Sequence, residues 1–123
     1  MTKQEAYKKI DEFFKLDYDS WDGYGAFAIE KESLDILKDI IDNVSDNTLD
    51  DWIIFPGKYG GISFERKNKE LSVIQYSDNK VTFIIADEVD NKAYMIDCGT
   101  EEYDLNFFIE TLNRINEYYE GNK

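Results

Sequence analysis

Residues 52–97 decide the fold, with the sequence WIIFPGKYGGISFERKNKELSVIQYSDNKVTFIIADEVDNKAYMID. Apolar side chains recur there at every second position, which is the period of a half-buried β-strand. Short polar or glycine-containing turns separate the apolar runs at residues 56–61, 67–69 and 77–80. Short strands joined by polar turns at regular spacing predict an antiparallel meander of four or five strands. The predicted strands cover about residues 52–55, 62–66, 71–75, 81–85 and 92–97, and Gly99-Thr100 is expected to break the last one.

The same alternation predicts which side chains share a face of this sheet. The inward face is expected to hold Ile62, Phe64, Leu71, Val73, Val81, Phe83 and Ile85. The opposite face receives polar residues together with three apolar ones, Ile74, Tyr76 and Ile84. A face in contact with water alone would not carry those three. Either the N-terminal segment or an edge loop covers this face, or it is an exposed patch used by a partner or by a second copy in a homodimer.

Helical periodicity flanks the strands on both sides. Thr2 and Glu5 form a capping-box pattern that predicts a helix ending near Lys15. Further apolar stripes predict helices over about 30–44, closed by residues 45–47, and over about 104–119. The order helix, helix, four or five strands, helix predicts an α+β fold with the helices packed on one face of the sheet. Without a repeat or a proline-rich linker, residues 1–123 are expected to form a single domain.

The net charge is −13 and is unevenly distributed along the chain. Residues 1–51 contain 14 acids and 6 bases, residues 98–123 contain 6 acids and 2 bases, and residues 52–97 contain 7 acids and 6 bases. The helical layer is therefore acidic, whereas the sheet is nearly neutral. This pattern argues against direct binding of nucleic acid, which requires a basic surface. It fits either a solvated face that keeps the protein in solution or a face that attracts a basic partner. The candidate contact residues in the helices are Asp35, Asp39, Asp42, Glu110 and Glu117.

The residue inventory excludes several kinds of chemistry. The chain has no histidine, which excludes His-based catalytic triads and imidazole bases, and its single cysteine excludes a disulfide framework. That residue, Cys98, is expected to be a small buried or half-buried thiol rather than an activated one, because no histidine is present to act as its base. The acids around Asp17 do not match a calcium loop, since a required glycine position falls on Asp22. No catalytic residue, metal site or cofactor is predicted.

Residues 21–26 form the most distinctive run, Trp-Asp-Gly-Tyr-Gly-Ala. Glycine permits backbone angles that are closed to other residues, so this loop can bend tightly. The loop either closes one end of the core or presents aromatic side chains to a partner. We expect Trp21 to fill the core and Tyr24 to contact the partner, because a tyrosine can bury its ring while its hydroxyl stays in water.

The region 17–66 resembles a family of small uncharacterised bacterial and phage proteins. The resemblance depends on the loop 21–26, the acidic helix after it, and the later segment Pro56…Gly60-Gly61-Ile62-Ser63-Phe64-Glu65. The chain departs from the family after Ala26, where Phe27 replaces a frequent proline. The resemblance implies a gene carried by mobile elements and involved in conflict between genomes. It assigns no activity and no functional residue.

These observations lead to three hypotheses about function. The first is a non-enzymatic acidic protein that neutralises a basic protein partner, such as an immunity protein or antitoxin acting on a nuclease toxin or another nucleic-acid-binding effector. The second is a nucleic-acid mimic from a phage or mobile element that inhibits a host defence nuclease, as anti-CRISPR and anti-restriction proteins do. The third is a small enzyme that uses carboxylates or Mg²⁺.

The cytoplasm is the expected location. Residues 1–5 lack the apolar run of a signal peptide. The longest apolar runs, 52–55 and 83–86, are far shorter than the roughly 20 residues that a membrane span requires. No association with a membrane is therefore expected.

Overall fold

A computed structural model describes residues 1–67 and 72–121. Helices precede and follow a five-stranded sheet, so the predicted α+β fold is confirmed. The elements are α1 Lys3–Phe14, α2 Lys31–Asn43, α3 Asp46–Leu49, β1 Trp52–Pro56, β2 Ile62–Arg66, β3 Val73–Ser77, β4 Lys80–Val89, β5 Lys92–Glu102 and α4 Leu105–Gly121. The predicted capping box is present, with the Thr2 hydroxyl accepting from the backbone N–H of Glu5 at 3.1 Å. Ser45, expected to close α2, instead caps α3 by accepting from the N–H of Thr48 at 3.3 Å.

The sheet is the predicted antiparallel meander. Its strands follow the order β1-β2-β3-β4-β5, and every neighbouring pair is antiparallel. The prediction that Gly99-Thr100 breaks the last strand is wrong, because these residues pair with Phe83 and Thr82 and β5 continues to Glu102. A side chain at position 99 would approach the Phe83 ring to 2.9 Å. Gly99 therefore marks a close approach within a strand.

The predicted phase of β3 is also wrong. Ile74 and Tyr76 pair with Phe64 and Ile62, and both are buried on the inward face. Val73, predicted inward, is half-buried on the outward face, and Leu71 lies outside the described residues. Apolar side chains occupy both phases of β3, so alternation alone does not fix its orientation. The observed phase leaves the Gln75 amide exposed and avoids the cost of burying it.

The helices pack on one face of the sheet, as predicted. One core cluster includes side chains of α1, α2 and α4 together with the inward side chains of β1 to β4. The rings of Phe64 in β2 and Phe108 in α4 lie 5.3 Å apart in an edge-to-face contact. On the outward face, Phe55 and Ile84 are exposed. The outward face therefore presents apolar surface to solvent.

Candidate functional site

Four of the predicted contact residues lie on the solvent side of two adjacent helices. Asp35 and Asp39 belong to α2, Glu110 and Glu117 belong to α4, and all four side chains are exposed. Helices α2 and α4 are in direct contact over the inward face of the sheet. We call these four residues the acidic helix surface.

The acidic helix surface keeps its charge uncompensated. Within residues 1–67 and 72–121, none of its four carboxylates forms an ion pair or a hydrogen bond through its side chain. Ion pairs among the described residues involve other acids and include Lys9–Glu12, Lys38–Asp42, Arg66–Asp51, Lys80–Glu102 and Arg114–Asp97. Exposed charges of one sign on neighbouring helices create a field that attracts oppositely charged partners.

Asp42 differs from those four residues. Its carboxylate accepts from the Lys38 ammonium at 2.8 Å and from the Tyr7 hydroxyl of α1. The hydrogen bond from Lys38 has the largest effect and that from Tyr7 the next, and together they hold the pKa of Asp42 below its usual range. The same contacts raise the pKa of Lys38 and of Tyr7. Asp42 is thus already partnered within the chain, which makes it the least available of the predicted contact residues.

Two tyrosines, Tyr76 and Tyr103, form a chain of contacts from Glu32 in α2 to the segment just before α4. The Tyr76 hydroxyl donates to Glu32 Oε1 at 3.2 Å, and the Tyr76 ring lies 5.3 Å from that of Tyr103. The pKa of Tyr103 is raised to about 12, mainly by burial of its hydroxyl and next by the negative charge of Asp39. Sequence reasoning missed this arrangement, because the residues come from separate elements and share no local pattern.

The loop between α1 and α2 is held by hydrogen bonds of its own acids. Asp22 Oδ1 accepts from the backbone N–H of Tyr24 at 2.8 Å and of Ala26 at 3.2 Å. These hydrogen bonds hold the pKa of Asp22 below its usual range, and the bond from Tyr24 has the largest effect. Gly23 and Gly25 have φ values of +79° and +88°, which explains the glycines in this run.

Trp21, which the sequence predicts to fill the core, lies at the edge of the core. Its side chain is half-buried and packs against the core cluster. The indole N–H donates to the carbonyl of Phe27 at 2.8 Å. The indole thus connects position 21 to position 27, across the run 21–26, while it packs at the edge of the core.

The loop also docks on the turn between β1 and β2. The backbone N–H of Phe27 donates to the carbonyl of Lys58 at 2.8 Å, and Phe27 forms an isolated parallel bridge with Tyr59. The two rings lie 6.1 Å apart, edge to face. A side chain at position 60 would meet the carbonyl of Ala28 at 3.0 Å, so Gly60 permits this approach.

The docked loop and the β1–β2 turn together present aromatic side chains to solvent, Tyr24 and Phe27 from the loop and Tyr59 from the turn. Tyr24 is 92 % exposed, Tyr59 73 % and Phe27 57 %. We call these residues the aromatic patch. Of these residues, the sequence identified Tyr24 alone as a contact candidate.

A groove of about 290 Å³ opens beside this turn, on the outward side of the sheet. Phe55, Pro56 and Tyr59 contribute to its apolar walls, while Ser63, Glu65, Gln75 and Lys58 supply polar groups. Glu65 is half-buried on β2, and its carboxylate has no partner among the described residues. The groove therefore combines an apolar lining with a half-buried unpaired carboxylate at Glu65 and an exposed ammonium at Lys58.

Other candidate chemistry is not assembled within the described residues. Across 1–67 and 72–121, no three acidic or thiol side chains converge so as to hold a metal ion. The expectation that Cys98 is buried or half-buried is wrong, because the residue lies exposed on β5, opposite the exposed Ile84 of the outward face. The described helices include none whose length and apolar character would suffice to cross a bilayer.

Comparisons with known proteins identify no relative of the chain. No protein-family model, no curated protein and no solved structure matches the chain.

Proposed function

We propose that this chain is a non-enzymatic acidic binding protein that neutralises a basic protein partner, in the manner of an immunity protein or an antitoxin. The observation that carries the proposal is the acidic helix surface, whose four carboxylates are exposed and unpaired within the described chain. Nuclease toxins and other nucleic-acid-binding effectors are basic because they must contact phosphates. An acidic inhibitor matches them in charge.

The physical role of this surface is to accelerate and orient association. Complementary charges steer two proteins together before contact, and this raises the association rate most at low ionic strength. Asp35 and Asp39 lie one helical turn apart on α2, and Glu110 and Glu117 lie about two turns apart on α4. Both helices are fixed by the core, so the carboxylates meet the partner without the cost of ordering a loop.

The same spacing supports a second candidate, a mimic of nucleic acid that inhibits a defence nuclease. Rows of carboxylates on two neighbouring rigid helices resemble a backbone of regularly spaced negative charges. The two candidates differ in the surface that they occupy on the target. A mimic competes with DNA or RNA for the target's binding cleft, whereas an inhibitor bound elsewhere does not.

The test begins by capturing the partner from the native host with the tagged chain and identifying it by mass spectrometry. The association rate is then measured against salt for the wild type and for the variant Asp35→Asn/Asp39→Asn/Glu110→Gln/Glu117→Gln. We expect the association rate at low salt to fall about tenfold or more in the variant, because steering contributes factors of that size. We also expect its salt dependence to flatten.

A charge-matched control separates local steering from the effect of net charge. The variant Asp11→Asn/Asp17→Asn/Glu88→Gln/Asp90→Asn removes the same number of exposed carboxylates away from the acidic helix surface. It should retain most of the wild-type association rate. A wild-type rate that stays flat from low to physiological ionic strength would contradict the proposal. Competition with a DNA or RNA duplex then decides between the two candidates.

A further inference from the structure

The groove beside the β1–β2 turn has the composition of a receptor for a long cationic side chain. Such a side chain has an apolar stem and a charged head, and it is most stable where the stem packs on apolar surface while the head meets an acceptor. Phe55, Pro56 and Tyr59 provide the apolar surface. Glu65, which is half-buried and without a partner in the described residues, provides the acceptor.

The Tyr59 ring adds a second attraction for a cation. A guanidinium or ammonium group placed over an aromatic face is attracted by the negative face of the ring. The ring is 73 % exposed, and its edge-to-face contact with Phe27 helps to hold its position. The backbone beneath it is fixed by the hydrogen bond from Phe27 to Lys58. Little ordering is therefore needed when a ligand arrives.

We propose that this groove receives an arginine or lysine side chain of the basic partner, with Glu65 contacting the charged head and Tyr59 packing over it. The inference rests on the proposed function, since it specifies one contact of that same partner. Charge complementarity selects this occupant. The chain carries a net charge of −13, and the half-buried charged group of the groove is the unpaired Glu65 carboxylate, whereas the Lys58 side chain is exposed.

Lys58 also lines the groove and opposes a cationic occupant. Its side chain is exposed and forms no ion pair within the described residues. Removal of this charge should therefore strengthen binding, whereas removal of the Glu65 charge should weaken it. The opposite signs of the two effects give the proposal a direct electrostatic test.

The probe is the blocked tripeptide acetyl-Gly-Arg-Gly-amide, titrated at low salt into the ¹⁵N-labelled full chain. We expect progressive amide shifts at Tyr59, Glu65 and Gln75, and none with acetyl-Gly-Gln-Gly-amide. Glu65→Gln should weaken the peptide affinity about tenfold, because a hydrogen bond to a charged group contributes enough for that factor. Lys58→Ala should strengthen the affinity, and Asp11→Asn, at an exposed position of α1 outside both surfaces, should leave it within about twofold.

The outcomes separate this inference from the proposed function. Arginine-specific shifts that appear only on α2 and α4 would overturn the groove assignment and leave the acidic helix surface in place. Equal binding of the two peptides, or of Glu65→Gln and the wild type, would also overturn it. Groove shifts that depend on protein concentration without peptide would assign the groove to a second copy of the chain. A partner whose association is independent of salt would contradict the proposed function, whatever the peptide does.

Discussion

The guanidinium carbon of Arg66 lies 4.8 Å from the centroid of the Tyr119 ring, inside the interface between the sheet and α4. Arg66 is only 7 % exposed, whereas every other charged residue within 1–67 and 72–120 is at least partly exposed. Asn116 Oδ1 accepts from the Arg66 guanidinium and, at 2.9 Å, from the indole N–H of Trp52. The carboxylate of Asp51 lies 3.6 Å from the same guanidinium. A buried charge persists when such contacts compensate for its lost hydration.

Removing this arginine should cost more stability than removing its exposed neighbour. Arg66→Ala should lower the free energy of unfolding by about 3 kcal/mol, because it removes the stacking on Tyr119 and leaves a cavity. Lys67→Ala, at an exposed position, should change it by less than about 0.5 kcal/mol. Urea unfolding followed by circular dichroism measures both values. Equal stabilities of the two variants would contradict the structural role of Arg66.

The hydroxyls of Tyr103 and Tyr119 are both buried but differ in their hydrogen bonds, and this difference predicts a difference in stability between the two Tyr→Phe variants. The Tyr119 hydroxyl is buried and bonds to Ser72 and to the carbonyl of Ala86, whereas the buried hydroxyl of Tyr103 has no hydrogen-bond partner among the described residues. Tyr119→Phe should therefore destabilise the fold by about 1–3 kcal/mol, the usual cost of leaving buried partners unsatisfied. Tyr103→Phe should leave stability at pH 7 unchanged or higher. A larger loss in Tyr103→Phe than in Tyr119→Phe would show that the Tyr103 hydroxyl is bonded.

The raised pKa of Tyr103 predicts a change in stability at alkaline pH. Burial raises this pKa to about 12 in the folded state, above the value near 10 expected in the unfolded chain. The neutral hydroxyl is thus favoured by folding, and its contribution is complete below pH 10 and is lost as the pH rises toward 12. Thermal unfolding of wild type and Tyr103→Phe between pH 8 and pH 12 should show the variant declining less steeply. Parallel curves would contradict the assigned shift.

Cys98 provides a test of whether the thiol performs chemistry. The residue is exposed on β5, and the described chain contains no histidine to activate it. Cys98→Ser should therefore leave the stability within about 0.5 kcal/mol and the partner affinity unchanged. Alkylation of the wild type with iodoacetamide gives an independent measure of thiol reactivity. Loss of function in a folded Cys98→Ser protein would show that the thiol acts chemically.

Elements encoded by local signals were predictable from the sequence. The capping box at Thr2 and Glu5 located the start of α1, because a cap involves residues a few positions apart. The phase of β3 was not predictable in the same way. Val73 and Ile74 are both apolar, and the pairing of Ile74 with Phe64 that decides between them is a contact between strands.

The residues of the candidate site also fall into those that local sequence predicts and those that depend on contacts between elements. The acidic residues of α2 and α4 could be proposed from charge and helical period, since both are written in consecutive residues. The partnering of Asp42 by Tyr7 depends on the packing of α1 against α2. The pairing of Phe27 with Tyr59 depends on the docking of one loop on a distant turn. No local sequence pattern predicts contacts of this kind.

The two aromatic residues of the run 21–26 should respond to mutation in opposite ways. Trp21 packs against the core and its indole donates to the Phe27 carbonyl, whereas Tyr24 is 92 % exposed. Trp21→Ala should lower the free energy of unfolding by about 3–5 kcal/mol, as loss of a large packed side chain does. Trp21→Phe should cost less, because it keeps most of the packing and loses the hydrogen bond.

Tyr24→Ala should change stability by less than about 1 kcal/mol and weaken partner binding by about 2 kcal/mol or more, as loss of an interface anchor does. Tyr18→Ala is the control, since Tyr18 is also an exposed aromatic residue of this loop but lies outside the run. Melting curves measure stability, and titration calorimetry with the identified partner measures affinity on variants confirmed to be folded. A Tyr24→Ala protein that melts far lower, yet binds normally whenever folded, would make Tyr24 a structural residue.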